Sequence, residues 1–245
     1  MSTRAWICAA IAAGAALAAP AAARAQAGAL GDLPLVEVPV RGQPAGGLIA
    51  VLLTADGGWV TLDRGVAAGL AADGVPVVGW SSLDYYRRPR TPELASADLA
   101  RVLRHYLDTW GGRRVLLIGY SFGADVLPLL VNRLPGDLRA RVAGVALIGF
   151  SSAAVFEFHA SEWVGLVRGH QYPTLAEARR LGDLPLLCVY GEEDHDEACG
   201  RLGMANATLL AIASGHRMGA VTAEVGEAVR RQARELEHLA GAEAR

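Results

Sequence analysis

The chain contains no lysine. All 23 of its basic side chains are arginine, which excludes the G-K-[ST] of a phosphate-binding loop, and no G-x-G-x-x-G stands in for it. With alanine and glycine so abundant, the bias reads as the codon usage of a GC-rich bacterium. Aromatic residues make up 6% of the chain, and no run of arginines is interleaved with them. Nucleic acid is therefore not an expected partner. The six histidines are scattered without paired spacing and the cysteines are few, so no metal site and no cofactor are expected. No internal repeat and no interdomain linker occur. The apolar stretch Ile7 to Ala19 is short for a membrane span.

That stretch follows Arg4 and precedes the small-x-small sequence Ala23-Arg24-Ala25, the pattern of a cleavable export signal. Residues 1–25 are assigned to it, with cleavage after Ala25 and a periplasmic product. Cys8 lies too early, inside the apolar stretch, to serve as a lipoprotein cysteine. Loss of Arg4 and Arg24 makes the formal charge of -2 more negative by two. Cys188 and Cys199 then remain as an even pair in an oxidising compartment, and a disulfide across their polar loop is expected.

The 245 residues, 52% hydrophobic, suffice for one large core, and residues 26–245 are read as one domain. Apolar runs at Leu35 to Val40, Leu48 to Leu53, Val75 to Trp80, Val115 to Ile118, Val142 to Ile148, Leu186 to Tyr190 and Ala207 to Ile212 predict strands. Three-to-four-residue spacing predicts helices over Val60 to Ala72, Pro92 to Trp110, Ala124 to Leu134, Leu175 to Leu181 and Ala220 to Leu239. The Pro-Gly segment Arg41 to Gly47 fits a hairpin between the first two strands. Thereafter strand and helix alternate, which implies an α/β fold: a mostly parallel sheet with helices on both faces and ligands at the carboxyl ends of its strands. Ser151 to Pro173 is the longest irregular stretch, either a cap over the site or an ordinary surface excursion.

The segment RRVLLIGYSFGADVLPLLVNRL puts Gly119-Tyr120-Ser121-Phe122-Gly123 between a strand and a helix, which nominates Ser121 as a nucleophile. An acid and a histidine must follow in that order, and both do. PLLCVYGEED ends a strand and supplies Asp194, with Glu192, Glu193 and Asp196 as rival acids. TLLAIASGH ends the next strand and supplies His216, with His195 and His159 as rival bases. In such a set the histidine takes the serine proton and the acid holds the imidazole tautomer. The backbone N–H of Phe122 is the first candidate oxyanion donor. The loop TADGGW offers Asp56 or Gly57 as the second.

TADGGW, VVGWSSLDYYRRPRTPE, LLIGYSFGADVLP, NRLP and CVYGEEDHDEAC, in this order, resemble the bacterial virulence protein VirJ family, whose domain also forms the C-terminal half of AcvB. The likeness runs from about Leu48 to His216. The resemblance implies a periplasmic α/β-hydrolase, and in AcvB-like proteins the removal of lysine from lysyl-phosphatidylglycerol. It also implies a tie to type IV secretion proteins. The family serine maps onto Ser121, its histidine onto His216 and its acid onto Asp194; the sequence departs at Thr54-Ala55, where serine-glycine is expected. An aminoacylated phospholipid at a membrane surface would meet acids at its cationic end, with Asp56, Asp84, Glu157 and Glu192 as candidates. Its phosphate would meet Arg87, Arg88 or Arg90. Tyr85, Tyr86, Phe156, Phe158 and Trp163 are candidates for lipid contact or for core. The alternatives are an esterase or thioesterase on a soluble substrate, and a non-catalytic accessory protein of secretion.

Overall fold

The structure, a computed structural model, describes residues 30–42, 44–157 and 170–243. The export-signal assignment and the readings of Cys8, Phe158, His159 and Trp163 fall outside those residues. In chain order the elements are β1 (Leu35–Val38), β2 (Leu48–Leu53), α1 (Thr61–Ala72), β3 (Val77–Trp80), α2 (Ser82–Tyr85), α3 (Pro92–Thr109), β4 (Arg114–Tyr120), α4 (Phe122–Val131) and α5 (Gly136–Arg139). They continue with β5 (Val142–Ile148), β6 (Ala153–Ala154), β7 (Tyr172–Pro173), α6 (Thr174–Arg179), β8 (Leu186–Gly191), β9 (Ala207–Ile212) and α7 (Thr222–Glu243).

Seven strands form one sheet in the order β1-β3-β2-β4-β5-β8-β9, while β6 and β7 pair by themselves. β1 runs antiparallel to β3, and every other neighbour in the large sheet is parallel. The central strands are apolar along nearly their whole length because both faces are covered, with Arg114 at the start of β4 as the exception. In β2, Ile49, Val51 and Leu53 face the core shared with α3 and α4, where Leu99, Leu103, Val126 and Leu127 are buried. Leu48, Ala50 and Leu52 face the opposite core with Leu62, Val66 and Leu70 of α1 and Val225 and Val229 of α7.

The starts of α1 and α3 are set by side chains. Thr91 accepts the Leu94 N–H ahead of Pro92 at the start of α3, and Asp63 accepts the Val60 N–H ahead of α1. Both satisfy donors that a helix N-terminus leaves unpaired. No helix among the described residues is long and apolar enough to cross a membrane.

The hairpin expected from Arg41 to Gly47 does not form. β1 pairs instead with β3, Leu35 opposite Trp80 and Val38 opposite Val77. The physical reason lies in β2, which is buried at all six positions and takes parallel partners on both edges. β1 carries the exposed Glu37 and suits an edge. The connecting segment tightens into a turn at Ala45–Gly47, anchored by the Ala45 N–H on the Gly74 carbonyl.

Candidate active site

Ser121 directly follows β4 and precedes the first residue of α4, and its φ of 50° makes it the one non-glycine residue with positive φ among those described. An L-residue held there costs about 1–3 kcal/mol, which the surrounding contacts must offset. Its N–H bonds the Ile148 carbonyl at 2.7 Å and its carbonyl accepts the Asp125 N–H at 3.0 Å. The flanking glycines are required by closeness. A Cβ on Gly119 would lie 2.5 Å from the Gly123 oxygen, and one on Gly123 would lie 2.2 Å from the Leu53 oxygen.

Asp194 sits three residues past the end of β8, in a turn closed by its own N–H on the Gly191 carbonyl. His216 follows β9. The two loops lie back to back, with the Glu193 N–H on the Ser214 carbonyl and a Gly191 Cβ position only 2.3 Å from that same oxygen. Ser121 Oγ is 2.7 Å from His216 Nε2, and His216 Nδ1 is 2.7 Å from Asp194 Oδ2. The Asp194 side chain is 6% exposed and that of His216 41%, so the acid is shielded while the imidazole edge faces solvent. Glu192, Glu193, His195 and Asp196 are all exposed, and none of them bonds the imidazole.

The rest of the predicted site divides into parts. Phe122 occupies the first position of α4, where a helix presents its backbone N–H groups outward. Asp56 and Gly57 form an exposed turn closed by the Gly58 N–H on the Ala55 carbonyl. At Thr54, where serine is expected, the buried hydroxyl accepts the Ser82 N–H at 2.9 Å and ties this loop to α2. The carboxylate of Asp84 is engaged by the Ser81 hydroxyl and by Arg87. Arg87, Arg88 and Arg90 line a surface cavity of about 480 Å³ together with Asp32 and Asp84. The Arg90 guanidinium lies 4.4 Å from the centre of the Tyr85 ring. Glu157 ends the described segment before residue 170.

Tyr85, Tyr86 and Phe156 are no more than 3% exposed, so they are core and not lipid contacts. They form an edge-on aromatic chain in which Tyr86 touches Phe122 at 4.9 Å and Phe156 at 5.8 Å. That chain connects the arginine segment to the residue after Ser121. Cys188 and Cys199 are joined, with a Cα–Cα distance of 5.7 Å, and so staple the loop that carries Asp194. No group of three or more His, Cys, Asp or Glu suited to a metal occurs among the described residues.

Sequence reasoning missed Asp125. It is the lone acid of α4, whose other nine residues are Phe, Gly, Ala, Val, Leu or Pro, and that contrast was the available signal. Both of its oxygens accept bonds from Ser151, one from the N–H and one from the hydroxyl, each at 2.7 Å. Burial pushes its pKa up to about 7 against the pull of those bonds, and the charges of His216 and Asp194 reach it.

The family model described as bacterial virulence protein (VirJ) matches residues 47–235. The chain belongs to the VirJ family. No curated protein matches this VirJ-family chain in sequence. Among solved structures, Est1E from Butyrivibrio proteoclasticus is 13% identical with a TM-score of 0.61, covering 82% of this chain and 93% of its own. The esterase domain of a Rhodothermus marinus protein is 16% identical with a TM-score of 0.58, covering 83% and 99%. The thioesterase domain from the curacin biosynthetic pathway is 13% identical with a TM-score of 0.55, covering 79% and 93%. At such identities the likeness is one of fold, and that fold is the α/β-hydrolase fold.

Proposed function

We propose that this VirJ-family protein is a serine ester hydrolase that removes the aminoacyl group from lysyl-phosphatidylglycerol. The observation that carries the reading is the unbroken hydrogen-bonded chain from Ser121 through His216 to Asp194, with both links at 2.7 Å. Family membership and the esterase-like fold support a hydrolase.

In this reaction Ser121 Oγ attacks the lysyl carbonyl carbon and its proton passes to His216 Nε2. Asp194 stabilises the imidazolium so formed. The oxyanion is met by the Phe122 N–H and by an N–H of the Asp56-Gly57 turn. Collapse expels the glycerol oxygen of phosphatidylglycerol, which takes the proton back from His216. Water, deprotonated by the same imidazole, then releases lysine from the acyl-enzyme.

Asp56 and Glu192 are both exposed and belong to the loops that follow β2 and β8, and they are proposed to attract the cationic lysyl end. The arginine-lined cavity is proposed to take the lipid phosphate, for which planar guanidinium groups are suited. A periplasmic location is part of the proposal. The Cys188–Cys199 bridge supports it, because disulfides persist in oxidising compartments.

The test is lysine release from vesicles containing lysyl-phosphatidylglycerol by the purified protein and by its Ser121→Ala form. Release by the first and not the second is expected. Equal release by both would refute the reading, and a stronger activity on short soluble esters than on vesicles would move the substrate to a soluble class.

A further inference from the structure

Asp125 stands one helical turn beyond Ser121, and its N–H bonds the Ser121 carbonyl at 3.0 Å. Its carboxylate grips Ser151 twice, at 2.7 Å for both the N–H and the hydroxyl. Ser151 in turn forms a β-bridge with Glu197. Beside it the Ala198 N–H bonds the Phe150 carbonyl at 2.8 Å, and the Glu197 N–H reaches back to the Asp194 carbonyl at 3.4 Å. The path from nucleophile to acid thus closes through one side chain. Ser151 also accepts the Thr174 hydroxyl through its carbonyl, so the departing and returning ends of the excursion after β5 are clasped at the same point.

We propose that Asp125 is a positioning residue of the Ser121–His216–Asp194 chain, acting through Ser151 to hold the nucleophile elbow in register with the loop that carries Asp194. The proposal rests on the reading of Ser121 as the nucleophile. Its chemistry differs from that of a structural filler. The titratable groups whose charge reaches Asp125 are His216, whose imidazolium form attracts its carboxylate, and Asp194, which repels it; its own helix offers no charged neighbour. Burial, and to a lesser degree the charge of Asp194, disfavours the ionised form, so a site selected for stability alone would hold a neutral amide. An ionised Asp125 instead accepts both Ser151 bonds at once, and its negative charge acts on an imidazole that becomes positive during the reaction.

Asparagine can keep the Ser151 N–H bond and donate to the Ser151 hydroxyl, so Asp125→Asn removes charge with little change of shape, while Asp125→Ala removes the grip. Hydrolysis of a chromogenic acetyl ester and of lysyl-phosphatidylglycerol vesicles is measured against pH for wild type, Ser121→Ala and both Asp125 variants. Thermal unfolding at pH 8 and the low-field proton resonance of the His216–Asp194 hydrogen bond are recorded on the same full-length proteins. The expected result for Asp125→Ala is a fall in kcat of about 10²-fold, the cost of a roughly 1 Å misplacement, with a shifted or broadened resonance. For Asp125→Asn the expectation is a lower kcat with little change in KM, a shallower acid limb of the pH profile, and a melting temperature at pH 8 equal to or above that of wild type.

A kcat and resonance unchanged in both variants would overturn the proposal. So would an Asp125→Asn protein that loses stability and activity together, since that is the behaviour of a merely structural residue. Ser121-independent hydrolysis would overturn the reading of Ser121 and the proposal with it, whereas Ser121-dependent hydrolysis with unchanged Asp125 variants would overturn the proposal alone.

Discussion

Adding one methyl group at Gly123 is expected to disable the site from behind. Gly123 does not have positive φ, so alanine is compatible with its backbone and the effect must come from space. The new Cβ would lie 2.2 Å from the Leu53 oxygen, 2.7 Å from the Leu53 carbonyl carbon and 2.8 Å from the Thr54 oxygen. Unstrained heavy-atom contacts are about 3.5 Å, so α4 and the end of β2 must separate by roughly 1 Å. Neither can swing aside as a side chain would, because the obstructing atoms are backbone of a central strand. Overpacking of this kind costs about 1–3 kcal/mol, and the immobile partner puts Gly123→Ala at the upper end.

The chemistry should suffer more than the fold. Ser121 Oγ lies 2.7 Å from His216 Nε2, and an extra ~1 Å takes that contact beyond hydrogen-bonding range. The expected loss in kcat/KM is on the order of 10²-fold. Gly226→Ala is the matched control: nothing lies within 4 Å of a Cβ there, and alanine inside α7 should stabilise by about 1 kcal/mol without touching activity. Urea unfolding and fluorophosphonate labelling of Ser121 read the two quantities. A Gly123→Ala protein within about 0.5 kcal/mol of wild type and labelled at its rate would show that the close packing is not what holds the elbow.

Reducing the Cys188–Cys199 bridge, which closes a loop of sequence separation 11, should lower the unfolding free energy by about 3 kcal/mol on chain-entropy grounds. Activity should fall before the fold does as reductant is raised, followed by circular dichroism beside ester hydrolysis; simultaneous loss would count against it. Asp63 is fully buried, and desolvation raises its pKa to about 6. The native state therefore binds more protons than the unfolded state between roughly pH 4 and 6, and stability declines as pH rises through that window. Asp63→Asn should remove that slope and stabilise at pH 7 by up to about 3 kcal/mol, judged from urea unfolding at several pH values. Arg88→Ala should raise KM for lysyl-phosphatidylglycerol vesicles while leaving a soluble acetyl ester unaffected, and equal effects on both would remove the arginine cavity from substrate recognition.

The ease of reading Ser121 from sequence has a physical origin: the elbow's demands are local. Gly119 and Gly123 are needed within two residues of the serine they frame, so five letters and a strand-helix context suffice. Asp194 was harder, since Glu192, Glu193 and Asp196 occupy the same short loop. What separates them is a single turn, the Asp194 N–H on Gly191, which buries one acid and leaves the others in water. The partner of β1 was not legible at all. Its pairing with β3 depends on β2 having both edges occupied, and that is a property of the whole sheet. Asp125 lay between these cases: an acid in an apolar helix signals a purpose, but only the position of Ser151, 26 residues away, reveals it.

The supports of the site fall into two groups that should fail separately. On the acid side, the disulfide ties the loop after β8 back to β8 itself, while the Ser151–Glu197 bridge and the Ala198–Phe150 bond tie it to the segment after β5. On the nucleophile side, Ser121 depends on the contact of Gly123 with the end of β2 and on Thr54, which fixes the following loop through Ser82. Besides the hydrogen bonds of His216 itself, the Asp125–Ser151 link joins both. Reduction of the disulfide should therefore displace the acid and leave the elbow in place, whereas Gly123→Ala should displace the elbow and leave the acid loop in place. For stability the two losses should nearly add, because the perturbed contacts do not touch. For kcat they should not. Either one already breaks a chain whose members act as a unit, so the doubly perturbed protein should be little slower than the worse of the two single ones. Additive losses in kcat would mean that Ser121 and Asp194 act independently of each other.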